Sequence, residues 1–204
     1  MQYLLDYIAA AILGSALLLI ILTANDISSE SHYLYNGDAL VQEILVQTVY
    51  LLEGELRNMG VGVPENQGSI AWADTSSIWF LYDIDRNDVP DTIRYYAGSV
   101  NEFSKTPNEL DRPLYRAVNY EKPLLVGSVT IFRLRYITRL GEVLPTPVDV
   151  HRLSEIHSVE ITMEVQNPFA ESRSTKQIGA GERTALYSSS IWQQTRLASQ
   201  NNRR

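Results

Sequence analysis

Nineteen consecutive residues without a charge, YIAAAILGSALLLIILTAN, lie between Asp6 and Asp26. As a helix rising ~1.5 Å per residue they reach roughly 28 Å, close to the hydrocarbon thickness of a bilayer. A secretory signal is the competing reading, and it needs a basic leading region and a small-x-small cleavage site. The first Lys or Arg is Arg57, and Ala24 with Leu22 two places before it makes a poor cleavage site. The expectation is therefore an uncleaved transmembrane segment over residues 1–25. No Lys or Arg flanks it, so the positive-inside rule has nothing to count. The acidic stretch that follows, with Asp26, Glu30, Asp38 and Glu43, favours a translocated C-terminal part and an N-terminus left inside.

Composition removes several function classes. Among 204 residues, 17 basic against 24 acidic side chains leave a net charge of -7. That argues against a nucleic-acid binder, which needs a basic face to displace counterions. The absence of cysteine excludes a disulfide scaffold, a thiolate metal site and a cysteine nucleophile.

After the span, residues 39–60 carry a helical pattern. Val41, Ile44, Leu45, Val49, Leu52, Leu56 and Met59 recur at intervals of three and four, with Gln42, Glu43, Gln47, Glu53 and Arg57 mostly off the stripe. Gly60 suits a C-cap, and Gly62 and Pro64 act as breakers. Asn36-Gly37-Asp38 suggests an interruption with Asp38 as an N-cap. The first 60 residues then form one helix kinked near 36–38, or two stacked helices. Beyond Gly62 the period becomes two. Residues 128–137 alternate, with Thr130, Phe132, Leu134 and Tyr136 opposite Arg133 and Arg135, and so do residues 158–166, with Val159, Ile161, Met163 and Val165 on one face. Weaker strands are expected at 78–82, 92–97, 114–119 and 185–197. The expected class is α+β: a long N-terminal helix, transmembrane in its first half and amphipathic over 26–62, packed on an antiparallel sheet domain spanning 63–198. A polar tail, residues 199–204, ends the chain.

Catalytic signatures are missing. There is no G-x-S-x-G, Walker loop or H-E-x-x-H, and His32, His151 and His157 match no zinc spacing. No enzyme activity and no resident cofactor are expected. The run Asp83-x-Asp85-x-Asn87-x-x-x-Asp91 has oxygen side chains at positions 1, 3, 5 and 9 of a calcium-type loop. Asp88 stands where a sharp turn prefers Gly, and Arg94 where a bidentate Glu would sit. A polar hairpin turn shaped by Pro90 is the favoured reading, with Ca²⁺ as the alternative. Tyr3 and Tyr7, and Tyr33 and Tyr35 beyond the span, suit membrane interfaces. Tyr95, Tyr96, Tyr115 and Tyr120 are expected on sheet faces.

The order of local runs resembles type IV pilins and type II secretion pseudopilins, and among them minor pilins of the PilW/GspJ type. Leu56-Arg57-Asn58-Met59-Gly60-Val61-Gly62 is similar to the run that closes their long helix. The acidic stretch from Asp83 to Asp91 leading into Thr92–Tyr96 resembles their hairpin and aromatic strand. Leu114–Asn119, Ile156–Thr162 and Tyr187–Leu197 resemble later strands in the same order. The family normally has a basic leader, then Glu at the fifth mature position. Here Leu5 takes that position and the nearest carboxylate is Asp6, so either a leader has been removed before Met1 or this branch lacks one. The resemblance implies a structural subunit of a pilus or pseudopilus. Asp6 would pair with the Met1 amine of a neighbouring copy and set register. Gly14, Ser15 and Ala16 would permit close helix approach. Implied partners are other pilin subunits, an inner-membrane platform with a cytoplasmic ATPase, and the lipid bilayer. The alternatives are a major filament subunit, or a membrane-anchored module binding sugar or peptide.

Overall fold

The computed structural model describes residues 2–103, 106, 108–167 and 190–198. One α-helix, α1, runs from Gln2 to Arg57 without interruption. The break expected at residues 36–38 is absent, for a packing reason. Gly37 is buried, and a Cβ there would sit 2.5 Å from the side-chain oxygen of Asn167. Asn167 donates through Nδ2 to the Leu34 carbonyl at 3.2 Å and to Asp38 Oδ1 at 2.8 Å. Glycine here is a notch that admits a side chain from the end of a strand, and Asp38 serves that contact in place of a cap.

From this notch upward α1 lies on the sheets. Val41, Leu45, Val49, Leu52, Leu56 and Met59 are buried, as their spacing predicts, and Ile44 is half-buried. The helix ends in tight turns, where the Gly60 N–H donates to the Leu81 carbonyl at 2.8 Å. Gly60 and Gly62 both have positive φ, which glycine adopts freely. Gly62 also lies so close to Asp83 that a Cβ would come within 2.5 Å of the Asp83 Cβ.

Two antiparallel sheets follow. The first is a meander of β1 (Ile70–Asp74), β2 (Ser77–Tyr82), β3 (Asp91–Ala97), β4 (Arg112–Val118) and β5 (Leu124–Val129), in chain order. The second has the order β7-β6-β8-β9, from β6 (Ile131–Thr138), β7 (Val143–Leu144), β8 (Ile156–Gln166) and β9 (Ser190–Ala198). The strand expected over 128–137 is divided at Thr130, which separates β5 from β6 and so joins the sheets. Val129 and Phe132 are both buried, three residues apart, so the alternation slips by one at the crossing. Of the run expected at 185–197, residues 190–197 lie in β9 and residues 185–189 are outside the described residues. So is the tail expected at 199–204. Strands β1 and β7, one bulged and the other two residues long, lack a clear alternation in sequence.

Both sheets contribute to one hydrophobic cluster with α1. Phe80 stacks between Tyr82 and Tyr95, with ring centroids 6.1 and 6.4 Å away. Tyr136 of β6 donates to the Asp74 and Ser77 carbonyls at 2.9 and 3.1 Å, and the Leu134 N–H donates to the Thr75 carbonyl at 2.7 Å. The second sheet thereby holds the β1–β2 turn.

Candidate functional site: the stalk helix and its seat on the sheets

Among the described residues, nothing packs on the first half of α1. Every described side chain from Gln2 to Glu30 is exposed, over roughly 43 Å of helix. Its most apolar eighteen-residue stretch is not buried at all, and it is long and apolar enough to cross a membrane. Thirteen large apolar residues lie exposed between Tyr3 and Ile27. At ~1.5–3 kcal/mol for each such side chain, leaving them in water forgoes roughly 20–40 kcal/mol. A domain's whole net stability is only ~5–15 kcal/mol. This surface therefore requires lipid or other protein around it.

Asp6 lies on the exposed helix near its start, and Met1 is outside the described residues. Gly14, Ser15 and Ala16 lie together on the exposed stretch. A Cβ at Gly14 would meet nothing within 4 Å, and the Ser15 hydroxyl donates to the Ile12 carbonyl of its own helix at 2.8 Å. The small-residue segment thus presents an open surface.

The upper half of α1 is seated by a polar group that periodicity alone does not reveal. Glu55 lies in the buried stripe, three residues after Leu52 and four before Met59. Arg116 of β4 donates through Nε to both Glu55 carboxylate oxygens at 3.0 Å. The Tyr82 hydroxyl donates to Oε1 at 3.2 Å, and the Tyr95 hydroxyl to Oε2. One carboxylate thus ties the helix to β2, β3 and β4. Burial, then the Glu55 charge, pushes the Tyr82 hydroxyl up to about 12, and the Tyr95 hydroxyl is raised by the same causes. Hydrogen bonding to Glu55 raises Arg116, so its guanidinium stays charged at any ordinary pH. The sequence signal for this group was a carboxylate at a core position. Its partners are 27, 40 and 61 residues away and carry no local mark.

The β2–β3 loop brings three of the four expected ligands together. Carboxylate oxygens of Asp83, Asp85 and Asp91 lie within 4.8 Å of one another. Asn87 is turned into the loop: its Nδ2 donates to Asp85 and its Oδ1 accepts from the Val89 N–H. Asp83 accepts from the N–H groups of Asn87 and Asp88 at 3.1 and 2.9 Å, and Asp91 from the N–H of Ile84 and the amide of Asn119. Burial pushes the Asp83 carboxyl up, but the backbone donors of Asp88, Asn87 and Arg86 and the Asp85 side chain outweigh it and hold it below its usual range. Arg86 and Asp88 adopt positive φ in this turn. These bonds account for the loop as a turn.

The histidines are dispersed between α1 (His32), the 3-10 helix Val150–Glu155 (His151) and β8 (His157), and none joins a metal-type cluster among the described residues. Tyr95 is fully buried on the inner sheet face. Tyr96 and Tyr115 pair on the outer face at 5.3 Å. Tyr120, expected on a sheet face, instead occupies the β4–β5 turn fully exposed, because β4 ends at Val118 and Asn119 takes positive φ. Trp72 and Trp79 form a second outer pair at 6.0 Å, with the Arg94 guanidinium 5.7 Å from the Trp79 ring.

Together these features define a stalked α+β protein: a long N-terminal helix, bare in its lower half and seated on antiparallel sheets in its upper half. No protein-family model matches the chain, and no curated protein matches it. Among solved structures it is similar to a type IV-like pilin from Thermus thermophilus, at 13% identity over 80% of this chain and 97% of that one, with a TM-score of 0.44.

Proposed function

We propose that the chain is a pilin-like structural subunit, acting as a minor pilin or pseudopilin in a type IV pilus or type II secretion pseudopilus. The observation that carries this reading is the bare apolar lower half of α1, continuous with a helix locked to a folded domain. Before assembly the stalk rests in the inner membrane, with the sheet domain outside the cytoplasm. Assembly moves the stalk from lipid into a bundle of like helices. Lipid is as apolar as leucine, so the gain comes from close packing, which the Gly14-Ser15-Ala16 segment permits.

The apolar surface does not stop at the span. Leu40, Val46, Tyr50 and Leu51 are exposed on the upper half of the helix, and they offer neighbouring stalks a surface to lie on. Asp6 is the ionisable group at the start of the span, where charge is costly without a partner. The Met1 amine of another copy is the partner proposed for it, and this pairing sets axial register. A membrane platform and a cytoplasmic ATPase would supply the work of extraction. The order of PilW/GspJ-like runs supports the minor role.

The test is quantitative mass spectrometry of sheared surface fibres beside washed membranes, from piliated cells. Trace amounts in fibres with most copies in membrane support the minor subunit. A dominant fibre signal makes it the major subunit. Absence from fibres and from any periplasmic pseudopilus leaves an anchored module that does not polymerise. Asp6→Ala tests the register role: incorporation is lost while membrane insertion persists.

A further inference from the structure

The helix changes character between the apolar span and the domain. Seven of the twelve residues from Asp26 to Gly37 are Asp, Ser, His, Asn or Gly, against three in the preceding twelve and one in the following twelve. These residue types are weak helix formers, and the short side chains of Ser, Asp and Asn compete for the hydrogen bonds of the backbone. The Ser31 hydroxyl does so within α1, donating to the Ile27 carbonyl at 2.9 Å, a bond of the kind that weakens and bends helices.

Packing does not offset this composition. Helices in proteins draw most of their stability from an apolar face laid on the core, and spans draw theirs from a medium without water to compete for backbone groups. From Asp26 to Asn36 no residue is buried, and only Ser31 and Leu34 are partly covered. Ile27, Tyr33 and Tyr35 turn large apolar surfaces outward. This stretch, ~16 Å of helix, begins where the uncharged run ends at Asn25 and stops at the first buried position, Gly37. At its upper end Asn167 holds the Leu34 carbonyl and Asp38.

We propose that residues 26–36 are a hinge between membrane and domain. In the unassembled subunit the backbone there opens readily in water, so the domain tilts on its anchor while the Glu55 seat keeps the upper helix fixed to the sheets. In the assembled state neighbouring stalks cover Ile27, Tyr33 and Tyr35 and close the segment into continuous helix. The closure rests on the filament reading above, and the opening does not.

Hydrogen exchange of the full-length chain, read by mass spectrometry in lipid nanodiscs and in sheared fibres, tests both states. In nanodiscs, amides 28–36 should exchange at least ~100-fold faster than amides 43–57. Ser28→Ala, Ser29→Ala and Ser31→Ala together should slow 28–36 about tenfold and leave 43–57 unchanged. Exchange of 28–36 within about tenfold of 43–57 in nanodiscs overturns the hinge, whatever the fibres show. An unchanged rate in the triple variant overturns it as well, because composition is then not its cause. Fast exchange of 28–36 retained in fibres overturns the closure. Absence of the chain from fibres and from any periplasmic pseudopilus overturns the filament reading, and with it the closure, while the opening stands on the nanodisc result.

Discussion

The two halves of α1 have the same backbone and opposite surroundings. Below the Gly37 notch, the stretch from Tyr7 to Ala24 is uncharged and bare on every side. Above it, one stripe is buried against two sheets while Gln42, Glu43 and Gln47 face outward. Helix propensity does not separate the halves, since leucine, a strong helix former, is common in both. The environment each requires does: one half is finished by its own chain and the other is not. Equal substitutions in the two halves should therefore have unequal effects on different observables.

The largest effect is expected at the buried ion pair. Glu55→Ala leaves Arg116, Tyr82 and Tyr95 facing an empty site. Removing one partner of a buried pair costs about 3–5 kcal/mol, or ~10 °C in melting temperature for a chain of this size. Thermal unfolding of the full chain in detergent micelles measures it, and a loss below ~1 kcal/mol would remove Glu55 from its role as the seat of the helix. Leu52→Ala, a cavity in the same stripe, should cost about 2–5 kcal/mol. Leu18→Ala in the bare half is the matched control. It should leave domain melting unchanged while weakening filament assembly. If Leu18→Ala lowers domain melting as much as Leu52→Ala does, the division between the halves fails.

Much of this division was legible in the sequence, because it rests on period and on runs of charge. The uncharged stretch marks the lower half, and the three-four spacing from Val41 to Met59 marks the buried stripe. The alternation over 158–166 likewise gives β8, which the structure extends back to Ile156. What was not legible depended on partners distant in the chain. Asn36-Gly37-Asp38 has the composition of a helix break, and only Asn167, 130 residues beyond Gly37, turns it into a docking notch. The sheet crossing at Thr130 was hidden because Thr130 and Phe132 keep a period of two while buried Val129 breaks it. Of the site, the bare stalk was visible and the Glu55–Arg116 seat was not.

Smaller effects are expected at the notch. Gly37→Ala forces Asn167 away from the helix, yet alanine favours a helix over glycine by ~1 kcal/mol. Asn167→Ala removes two hydrogen bonds, each worth ~0.5–1.5 kcal/mol, without that compensation. The expected order of melting temperatures is wild type, then Gly37→Ala, then Asn167→Ala. Gly37→Ala melting above wild type would mean that the Asn167 contact contributes less than the helix propensity it displaces.

The finest distinction lies within the domain, between two aspartates whose shifts have opposite sign. Asp83 is held below its usual range because the donors of its loop outweigh its burial. Its contribution to stability is present above the unfolded-state pKa of ~3.9 and is lost as pH falls through the lower folded value. Asp111, just before β4, is raised above its usual range by burial, which the neighbouring Thr106 and Ser128 side chains only partly offset. It favours the fold below ~3.9, and that contribution is lost as pH rises through the higher folded value. Asp83→Asn should therefore lower the melting temperature at pH 7, by an amount that shrinks toward pH 3. Asp111→Asn should raise it at pH 7, with the gain vanishing toward pH 3. Melting curves of both variants at the two pH values give the comparison, and a change of the same sign for both at pH 7 would contradict the burial-driven shift at Asp111.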